Sequence, residues 1–380
     1  MNRVRSLAAL SLVLAGLGCG DESSSAPGGA GPSGSASSDS GGAGGAGGAG
    51  GQNAGTAGTG GTSCGDLESD PENCGECDHS CMGGECAAGK CQPVELATDE
   101  GQVLGLAIDD SAVYWGSVEL EHVMRCALPG CFDGPTLVAS GNGEVTDVHV
   151  DGTHVYFGDR GSGVGSVRKC ALPDCAGGPV DMSVGLGSPD HLALTNLAVY
   201  WGDTLANQIA YCALSRVAIP PVVLSLGEAS TVDLVLGNEQ VLWSVAATTP
   251  GTGAIRGCYL PDCPGATLPV VEGLDDPGRL ASNGTSVFWA DQGTTISSCS
   301  LPDCASGPLP VREGLAALSA MAIHGSRLYY LAGGVHVCDL PDCTLPAKIA
   351  DAPSSPGVLV ASGAIVAWAQ DGVVSMIAAP

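Results

Sequence analysis

Seven copies of an aromatic segment recur along residues 92–380, and this repeat restricts the fold more than any other feature of the chain. The copies read VYWG, VYFGD, VYWGD, VLWS, VFWAD, LYYL and VAWA, and they begin at residues 113, 155, 199, 241, 287, 328 and 366. All five tryptophans lie in these segments. A period of 38–46 residues is typical of structural repeats that pack against their neighbours.

Each repeat unit has the pattern of four short strands. An apolar segment such as LGLAIDD is followed by a turn, the aromatic segment, a Gly-rich loop, a strand that ends at a cysteine, and a last apolar segment such as PVVLSLG. The 59 glycines and 24 prolines disfavour helices. Four short strands in about 40–45 residues are typical of a β-propeller blade. The sequence therefore predicts an all-β fold, a seven-bladed β-propeller with four-stranded blades.

The seventh unit, residues 357–380, contains only three of the four predicted strands. The missing strand is found before the first unit, where CQPVELATDEGQ at 91–102 matches GPVDMSVGLGS at 178–188. We therefore expect residues 93–98 to complete the last blade. This N-terminal strand would pair a sheet edge that otherwise stays open.

The segment VYWGD, which follows a strand and precedes a Gly-rich loop, resembles the YWTD repeat of low-density-lipoprotein-receptor-type propellers. Glycine replaces the threonine here, and the aspartate is kept only at Asp159, Asp203 and Asp291. The resemblance covers most of residues 100–380 and implies a propeller that binds protein ligands. That family has six blades, whereas this sequence indicates seven.

Five copies of the hexapeptide Cys-x-Leu-Pro-x-Cys stand between the predicted third and fourth strands. Cysteines at opposed positions of a hairpin have Cα atoms about 4.5–5.5 Å apart, which suits a disulfide. A metal site needs four clustered ligands, but these pairs belong to different blades, and a redox site favours CxxC. We therefore predict five local disulfides: Cys126–Cys131, Cys170–Cys175, Cys258–Cys263, Cys299–Cys304 and Cys338–Cys343. A sixth copy, CALSRV at 212–217, lacks the second cysteine, so we expect Cys212 to be free, with a link to a second chain as the alternative.

Six further cysteines lie within residues 64–91, which offer few apolar side chains to bury. An even number in a small exported segment predicts three disulfides, for which 15 pairings are possible. A redox role for CGEC at 74–77 and a zinc site with His79 are the alternatives. The run DPENCGECDHSCMGGECAAGKC resembles the stigma-specific protein family and similar modules of bacterial surface proteins, which implies an extracellular module. The six are Cys64, Cys74, Cys77, Cys81, Cys86 and Cys91.

The N-terminus predicts export to the cell envelope. Arg3 and Arg5 precede an apolar run, LAALSLVLAGLG, that is too short to span a bilayer, so residues 1–18 are interpreted as a cleaved signal peptide. The next residue resembles the lipobox cysteine of bacterial lipoproteins, which implies that Cys19 is lipidated and becomes the mature N-terminus. Secretion after ordinary cleavage is the alternative. With Gly20 next, the resemblance to Gram-negative lipoproteins implies the outer membrane or the extracellular surface.

Residues 20–63 consist almost wholly of Gly, Ala, Ser and Thr, as in GGAGGAGGAGG. This composition cannot form a core, so we predict a disordered, flexible tether. The predicted organisation is a signal peptide (1–18), a lipidated cysteine with its linker (19–63), a disulfide module (64–91) and the propeller (92–380).

The net charge limits the possible partners of the chain, and the cysteine content indicates its compartment. The chain has 40 Asp and Glu residues but only 13 Lys and Arg, a formal net charge of −27. A nucleic-acid partner is excluded because phosphate binding needs clustered basic side chains. Eighteen cysteines suit an oxidising compartment outside the cytoplasm.

A candidate site comes from aligning the repeats eight residues before each aromatic segment. Propellers that catalyse reactions place their reactive groups around the central channel. An enzyme would use Asp147 and Asp233 as metal ligands or acid–base groups, His191 as ligand or base, and Arg279 to hold an anion, with Glu144 and Asp190 close by. This arrangement resembles calcium-dependent lactonase-type propellers, which implies Ca²⁺. The aligned residues are Gly105, Asp147, His191, Asp233, Arg279, Ala320 and Val358.

Two functional classes follow from these features. The first is a monomeric lipoprotein, attached to the membrane by its lipid, whose propeller binds an extracellular protein or glycan without a cofactor. The second is a metal-dependent extracytoplasmic enzyme that uses the channel mouth. We favour binding, with the channel side chains paired to each other and to water, because no second group of residues supports catalysis.

Overall fold

The structure, a computed structural model, describes residues 64–380 apart from 142, 162, 216–219, 229, 261–262, 264–266, 354 and 356. The predicted signal peptide, the lipidation site Cys19 and the linker lie outside the described residues. Within the described ranges, no helix has the length and apolar character that crossing a membrane requires.

The cysteine-rich module contains two short paired strands, β1 (Cys86–Ala87) and β2 (Lys90–Cys91), and it leads into β3 (Val94–Ala97). All six of its cysteines are bonded, with Cα–Cα distances of 5.1–5.6 Å. The two cysteines of CGEC bond to different partners, so this segment does not form the CxxC disulfide of a redox site. The pairs are Cys64–Cys77, Cys74–Cys86 and Cys81–Cys91.

The rest of the described chain forms seven antiparallel sheets of four strands, as the repeat predicts. Blade 1 consists of β4 (Val103–Ile108), β5 (Ala112–Ser117), β6 (His122–Ala127) and β7 (Thr136–Ser140). Blade 2 consists of β8 (Gly143–Val150), β9 (His154–Gly161), β10 (Gly165–Ala171) and β11 (Val180–Leu186). Blade 3 consists of β12 (Pro189–Leu194), β13 (Ala198–Asp203), β14 (Gln208–Ala213) and β15 (Val222–Leu226). Blade 4 consists of β16 (Thr231–Gly237), β17 (Gln240–Val245), β18 (Gly253–Tyr259) and β19 (Leu268–Leu274).

The last three blades follow the same order. Blade 5 consists of β20 (Pro277–Ser282), β21 (Ser286–Asp291), β22 (Thr295–Ser300) and β23 (Leu309–Arg312). Blade 6 consists of β24 (Ala320–His324), β25 (Arg327–Leu331), β26 (Val335–Asp339) and β27 (Ala347–Ala350). Blade 7 consists of β28 (Gly357–Ala361), β29 (Ile365–Gln370) and β30 (Val373–Ala378), with β3 as its outer strand. The predicted closure of the last blade by residues 93–98 is therefore confirmed.

The first strands of the blades surround the central channel. Each first strand contacts the first strand of the next blade, and β28 contacts β4 to complete the ring. The aromatic segments lie on the second strands, where their rings fill the space between blades. Trp115 packs against Ile365 and Ala367 of blade 7, and Trp201 packs against Tyr156 of blade 2. Burial of each such large side chain stabilises the ring by about 1.5–3 kcal/mol.

Strand direction defines two faces of the ring. Because the four strands of a blade are antiparallel, its first–second and third–fourth turns lie at one end, which we call the lower face. The second–third loops and the connections to the next blade lie at the other end, the upper face. The cysteine-rich module sits at the lower face, where Gly83 lies against Gly130 and Phe132 of blade 1 and Met82 packs on the core between blades 1 and 7.

All five predicted hexapeptide pairs are disulfide-bonded and lie at the lower face, with Cα–Cα distances of 4.9–5.2 Å. We call these segments the cysteine turns. The expectation that the cysteines oppose each other on paired strands is wrong in detail. Cys131 precedes β7 by several residues, and its N–H donates to the carbonyl oxygen of Ala127, so the disulfide closes the turn itself. The same bond recurs in the other four turns.

The expectation of a free thiol at Cys212 is wrong as well. The structure describes no free cysteine, and Cys212 is disulfide-bonded. Its side chain is buried beside Trp201 and Met182 in the core between blades 2 and 3.

Candidate functional site

The aligned residues occupy one structural position in every blade. Each immediately precedes the first-strand residue that pairs with the third residue of the aromatic segment, as shown by the pairs Leu192↔Trp201 and Leu234↔Trp243. In blades 1 to 5 the first strand carries an irregular register just before this point. Such bulges re-aim side chains. The residues that the repeat alignment selects therefore form a ring around the channel.

Six of these positions line one cavity of about 620 Å³ that opens at the upper face. They are the four candidates from the sequence, Asp147, His191, Asp233 and Arg279, together with Ala320 and Val358. Further polar side chains that the alignment does not indicate also line the cavity, among them His149, Arg160 and Thr204. The volume is in the range of small-molecule sites.

The two aspartates hold neighbouring blades together. Asp147 accepts a hydrogen bond from the Leu192 N–H of blade 3 at 2.8 Å, and Asp233 accepts one from the Leu280 N–H of blade 5 at 2.9 Å. The other carboxylate oxygen of each accepts the N–H of the next residue in its own strand, at 2.8 Å in both cases. A first strand has no sheet partner on its channel side, so its amides need such acceptors.

His149 follows Asp147 on the same side of β8, and its Nε2 lies 3.5 Å from the Asp147 carboxylate. Burial of the His149 ring is the largest influence and opposes its protonation, but the charge and hydrogen bond of Asp147 together with the charge of Asp233 outweigh burial and raise the pKa of His149. Burial likewise opposes ionisation of Asp147, yet the charge and hydrogen bond of His149 together with the Leu192 N–H lower the pKa of Asp147. Asp147 and His149 therefore form an ion pair on the channel wall.

His191, in contrast to His149, favours the uncharged form of its ring. Its Nδ1 lies 3.9 Å from Asp233, but burial and then the positive charge of Arg279 lower the pKa of the His191 ring. At neutral pH this ring is uncharged and offers one N–H donor and one acceptor.

The remaining acids of this wall are also partnered. Arg160 donates to Glu144 at 2.9 Å, to Ser188 at 2.7 Å and to Asp190. Asp190 additionally accepts hydrogen bonds from the hydroxyls of Ser188 and Thr204. Glu144 and Asp190, predicted to lie near the candidates, thus belong to one network centred on Arg160.

Metal binding has limited support among the described residues. One group of three possible ligands has its ligand atoms within 4.8 Å of one another, namely Cys74, Cys81 and Cys91, and all three are in disulfides. The channel aspartates and histidines, as described, form no such group. A calcium site there stays a prediction.

A second cavity of about 690 Å³ adjoins the first at the upper face, and the two share Leu104, Arg279 and Val358. Its rim carries Asp99, Glu119 and Asp371. Arg279 therefore stands between an inner cavity and an acidic outer one.

Comparison with known proteins gives likenesses of fold. The structure of a streptogramin B lyase aligns with a TM-score of 0.59 and 10% identity, over 75% of this chain and 96% of that one. The computationally designed Ika8 protein aligns with a TM-score of 0.51 and 15% identity, over 75% and 99% of the two chains. Both show a β-propeller fold. A chain of a nidogen/laminin complex aligns with a TM-score of 0.47 and 16% identity, over 63% of this chain and 93% of that one.

No family model and no curated protein matches the chain by sequence. The resemblances to YWTD repeats and to the stigma-specific family therefore stay predictions. At identities of 10–15% the structural likenesses say nothing of reaction or ligand.

His149, Arg160 and Thr204, which the alignment missed, differ in how they could have been found. His149 is two residues after Asp147, and the alternation of a strand puts such residues on one side, so the sequence contained the signal. Arg160 and Thr204 come from the end of a second strand and the loop after one, where the repeats show no common column. Their approach to the channel depends on blade packing.

Proposed function

We propose that the chain is a surface-anchored binding protein whose propeller holds an extracellular protein at its upper face. The observation that carries this proposal is the position of the cavities. Both open at the upper face and share Arg279, whereas the cysteine-rich module lies on the lower face. A chain anchored through residues that precede the module has its attachment at the lower face, which leaves the upper face accessible to a partner.

The chemistry of the upper face favours a protein over a glycan. The loops there expose Leu120, Val164, Leu205 and Leu226, the last two by more than 70%. Glycan sites commonly use exposed aromatic platforms. Among the described residues the exposed aromatic side chains, Phe132 and Tyr259, lie at the lower face instead.

The charge of this face favours a basic partner. Asp99, Glu119 and Asp371 surround the outer cavity. Between blades 4 and 5, burial together with the nearby charges of Asp275 and Asp276 raises the pKa of Asp291, which indicates negative charge without compensation. Opposite charge on a partner would steer association and relieve this repulsion.

The anchoring part of the proposal rests on the sequence. Lipidation of Cys19 would hold the chain in the cell envelope, in the outer membrane or at the extracellular surface. Replacing Cys19 with Ser should release the mature chain into the soluble fraction if a lipid is the anchor. Retention of the Cys19→Ser chain in the membrane fraction would contradict it.

The binding face can be tested with matched variants of the full chain. An upper-face variant carries Glu119→Lys, Asp371→Lys and Leu205→Asp, and a lower-face control carries Asp174→Lys, Asp342→Lys and Leu345→Asp. Each changes two exposed acids and one exposed leucine. We expect surface cross-linking in cells that make the chain to capture the same protein with the wild type and the control but not with the upper-face variant. Loss with the control alone, or with both variants, would overturn the assignment.

The second candidate is the metal-dependent enzyme, favoured by one observation: two aspartates and two histidines line a single cavity. Against it, every oxygen of the two aspartates already accepts a backbone N–H. Elemental analysis after mild purification separates the two. One tightly held Ca²⁺ per chain, lost in an Asp147→Ala/Asp233→Ala variant that still shows a folded β spectrum, would favour the enzyme.

A further inference from the structure

We propose that the inner cavity binds a small amphipathic monoanion, with Arg279 holding the anionic group and the apolar wall opposite holding the body of the molecule. This site goes beyond the protein ligand proposed above and does not depend on it.

Arg279 is the unpartnered charge of the cavity. The other arginine of this cavity, Arg160, pairs with Glu144 and Asp190, whereas Arg279 forms neither an ion pair nor a side-chain hydrogen bond with a described residue. The carboxylates of the same wall all have donors, as described above. The group that a ligand would complete is therefore the guanidinium, whose forked N–H groups match a carboxylate or sulfonate.

His191 lies beside this guanidinium. Arg279 is close enough for its charge to add to burial in lowering the pKa of the His191 ring. A neutral imidazole can donate a hydrogen bond to the anion without carrying a competing charge. The two side chains come from blades 3 and 5 and face one space.

The other half of the cavity wall is apolar. Blades 1, 6 and 7 contribute no charged group at the aligned positions, where Gly105, Ala320 and Val358 stand. The surrounding wall is formed by Leu104, Leu106, Met321, Val358, Leu359 and Val360. A cavity of about 620 Å³ that is charged on one side and apolar on the other fits a molecule with the same division.

The acidic rim restricts the anion to a single charge. Asp99, Glu119 and Asp371 line the outer cavity next to Arg279. They would repel a phosphate or other multiply charged anion, while a monoanion with an apolar body gains from both walls of the inner cavity.

The test uses a matched pair of fluorescent probes on the full chain. 8-Anilinonaphthalene-1-sulfonate carries one negative charge, and N-phenyl-1-naphthylamine has the same rings without it. We expect one site per chain that binds the sulfonate at least tenfold more tightly than the neutral probe. Inorganic phosphate at millimolar concentration should not displace the sulfonate.

Variants at two residues, one on each wall, separate the contributions of the charged and apolar walls. Arg279→Gln should weaken the sulfonate at least tenfold and change the neutral probe less than twofold, and Arg279→Lys should restore part of the difference. Val358→Asn should weaken both probes. Arg327→Gln, which removes a partly exposed arginine paired with Asp339 outside the cavity, is the matched control and should change neither.

Several results would overturn the proposal. They are equal affinity of the two probes for the wild type, an unchanged sulfonate affinity in Arg279→Gln, unchanged affinities in Val358→Asn, or an equal loss in Arg327→Gln. Displacement by phosphate would assign the site to small multivalent anions and would also overturn it.

Discussion

The lower and upper faces of the ring are stabilised by different kinds of bond. At the lower face five blades repeat one local device, a disulfide that closes the turn between the third and fourth strands. Towards the upper face the blades are joined by side chains that differ from blade to blade, such as Asp147 and Asp233. Comparison of the seven blades therefore distinguishes the disulfide turns, which most blades share, from polar side chains that occur in single blades. The polar side chains of single blades line the cavities.

The largest effect should come from the bonds between blades. Asp147→Ala/Asp233→Ala removes the acceptors of four backbone amides, and a buried donor left unsatisfied costs about 1–3 kcal/mol. Because water in the cavity can serve some of these amides, we expect a loss of about 4 kcal/mol in the free energy of unfolding, measured with urea.

The matched control for this pair is Asp174→Ala/Asp342→Ala. These aspartates stand in cysteine turns and are exposed, so their loss should change stability by less than about 0.5 kcal/mol. Similar losses in the two double variants would remove the distinction between the faces.

The repeat pattern of the sequence predicts the blades and the ring of channel positions, but it does not predict which residues of two different blades contact each other. The aromatic column predicts seven blades, and the strand pattern before the first unit predicts that Val94–Ala97 closes the last one. The alignment also brings Asp147, His191, Asp233 and Arg279 to one cavity. It cannot show that Asp147 bonds to an amide 45 residues away, because that contact depends on how two blades pack.

The next effect tests packing at the channel in blade 1, where the aligned residue is Gly105. A Cβ atom there would lie 2.4 Å from the Val148 nitrogen and 2.6 Å from the Asp147 Cα, both backbone atoms of blade 2. Gly105→Ala must therefore push two first strands apart, and we expect a cost of up to about 3 kcal/mol in thermal or urea unfolding. Gly177→Ala, near a cysteine turn and with no atom within 4 Å of the added carbon, should leave stability nearly unchanged. A harmless Gly105→Ala would show that the inner strands can separate easily.

A single cysteine turn should matter less. Closing a loop of six residues lowers the entropy of the unfolded chain by an amount worth about 2 kcal/mol. We expect Cys299→Ala/Cys304→Ala to lose about this much, and a second pair, Cys338→Ala/Cys343→Ala in another blade, to add the same again. If one turn costs more than the loss of both channel aspartates, the lower face rather than the channel is the main source of cooperativity.

The smallest expected effect is on the pH dependence of stability, to which the two channel histidines should contribute with opposite sign. It tests whether the environments of His149 and His191 differ as described. The pKa of His149 is raised in the folded state because Asp147 and Asp233 together outweigh burial. Its contribution to stability is therefore complete below its unfolded pKa near 6.5 and is lost as the pH rises through the folded value. The pKa of His191 is lowered by burial and Arg279, so the folded state disfavours its protonation and loses stability as the pH falls below about 6.5.

Replacing each histidine with glutamine should therefore act in opposite directions. His149→Gln should destabilise the chain more at pH 5.5 than at pH 8, since Asp147 and the nearby Asp233 then lack a cation to face. His191→Gln should be relatively more stable at pH 5.5, because no buried ring remains to be protonated beside Arg279. Urea unfolding of both variants and the wild type at the two pH values measures this. Equal pH dependence in the two variants would mean that the two histidines share one environment, and the contrast between the blade 2 and blade 3 walls of the cavity would not hold.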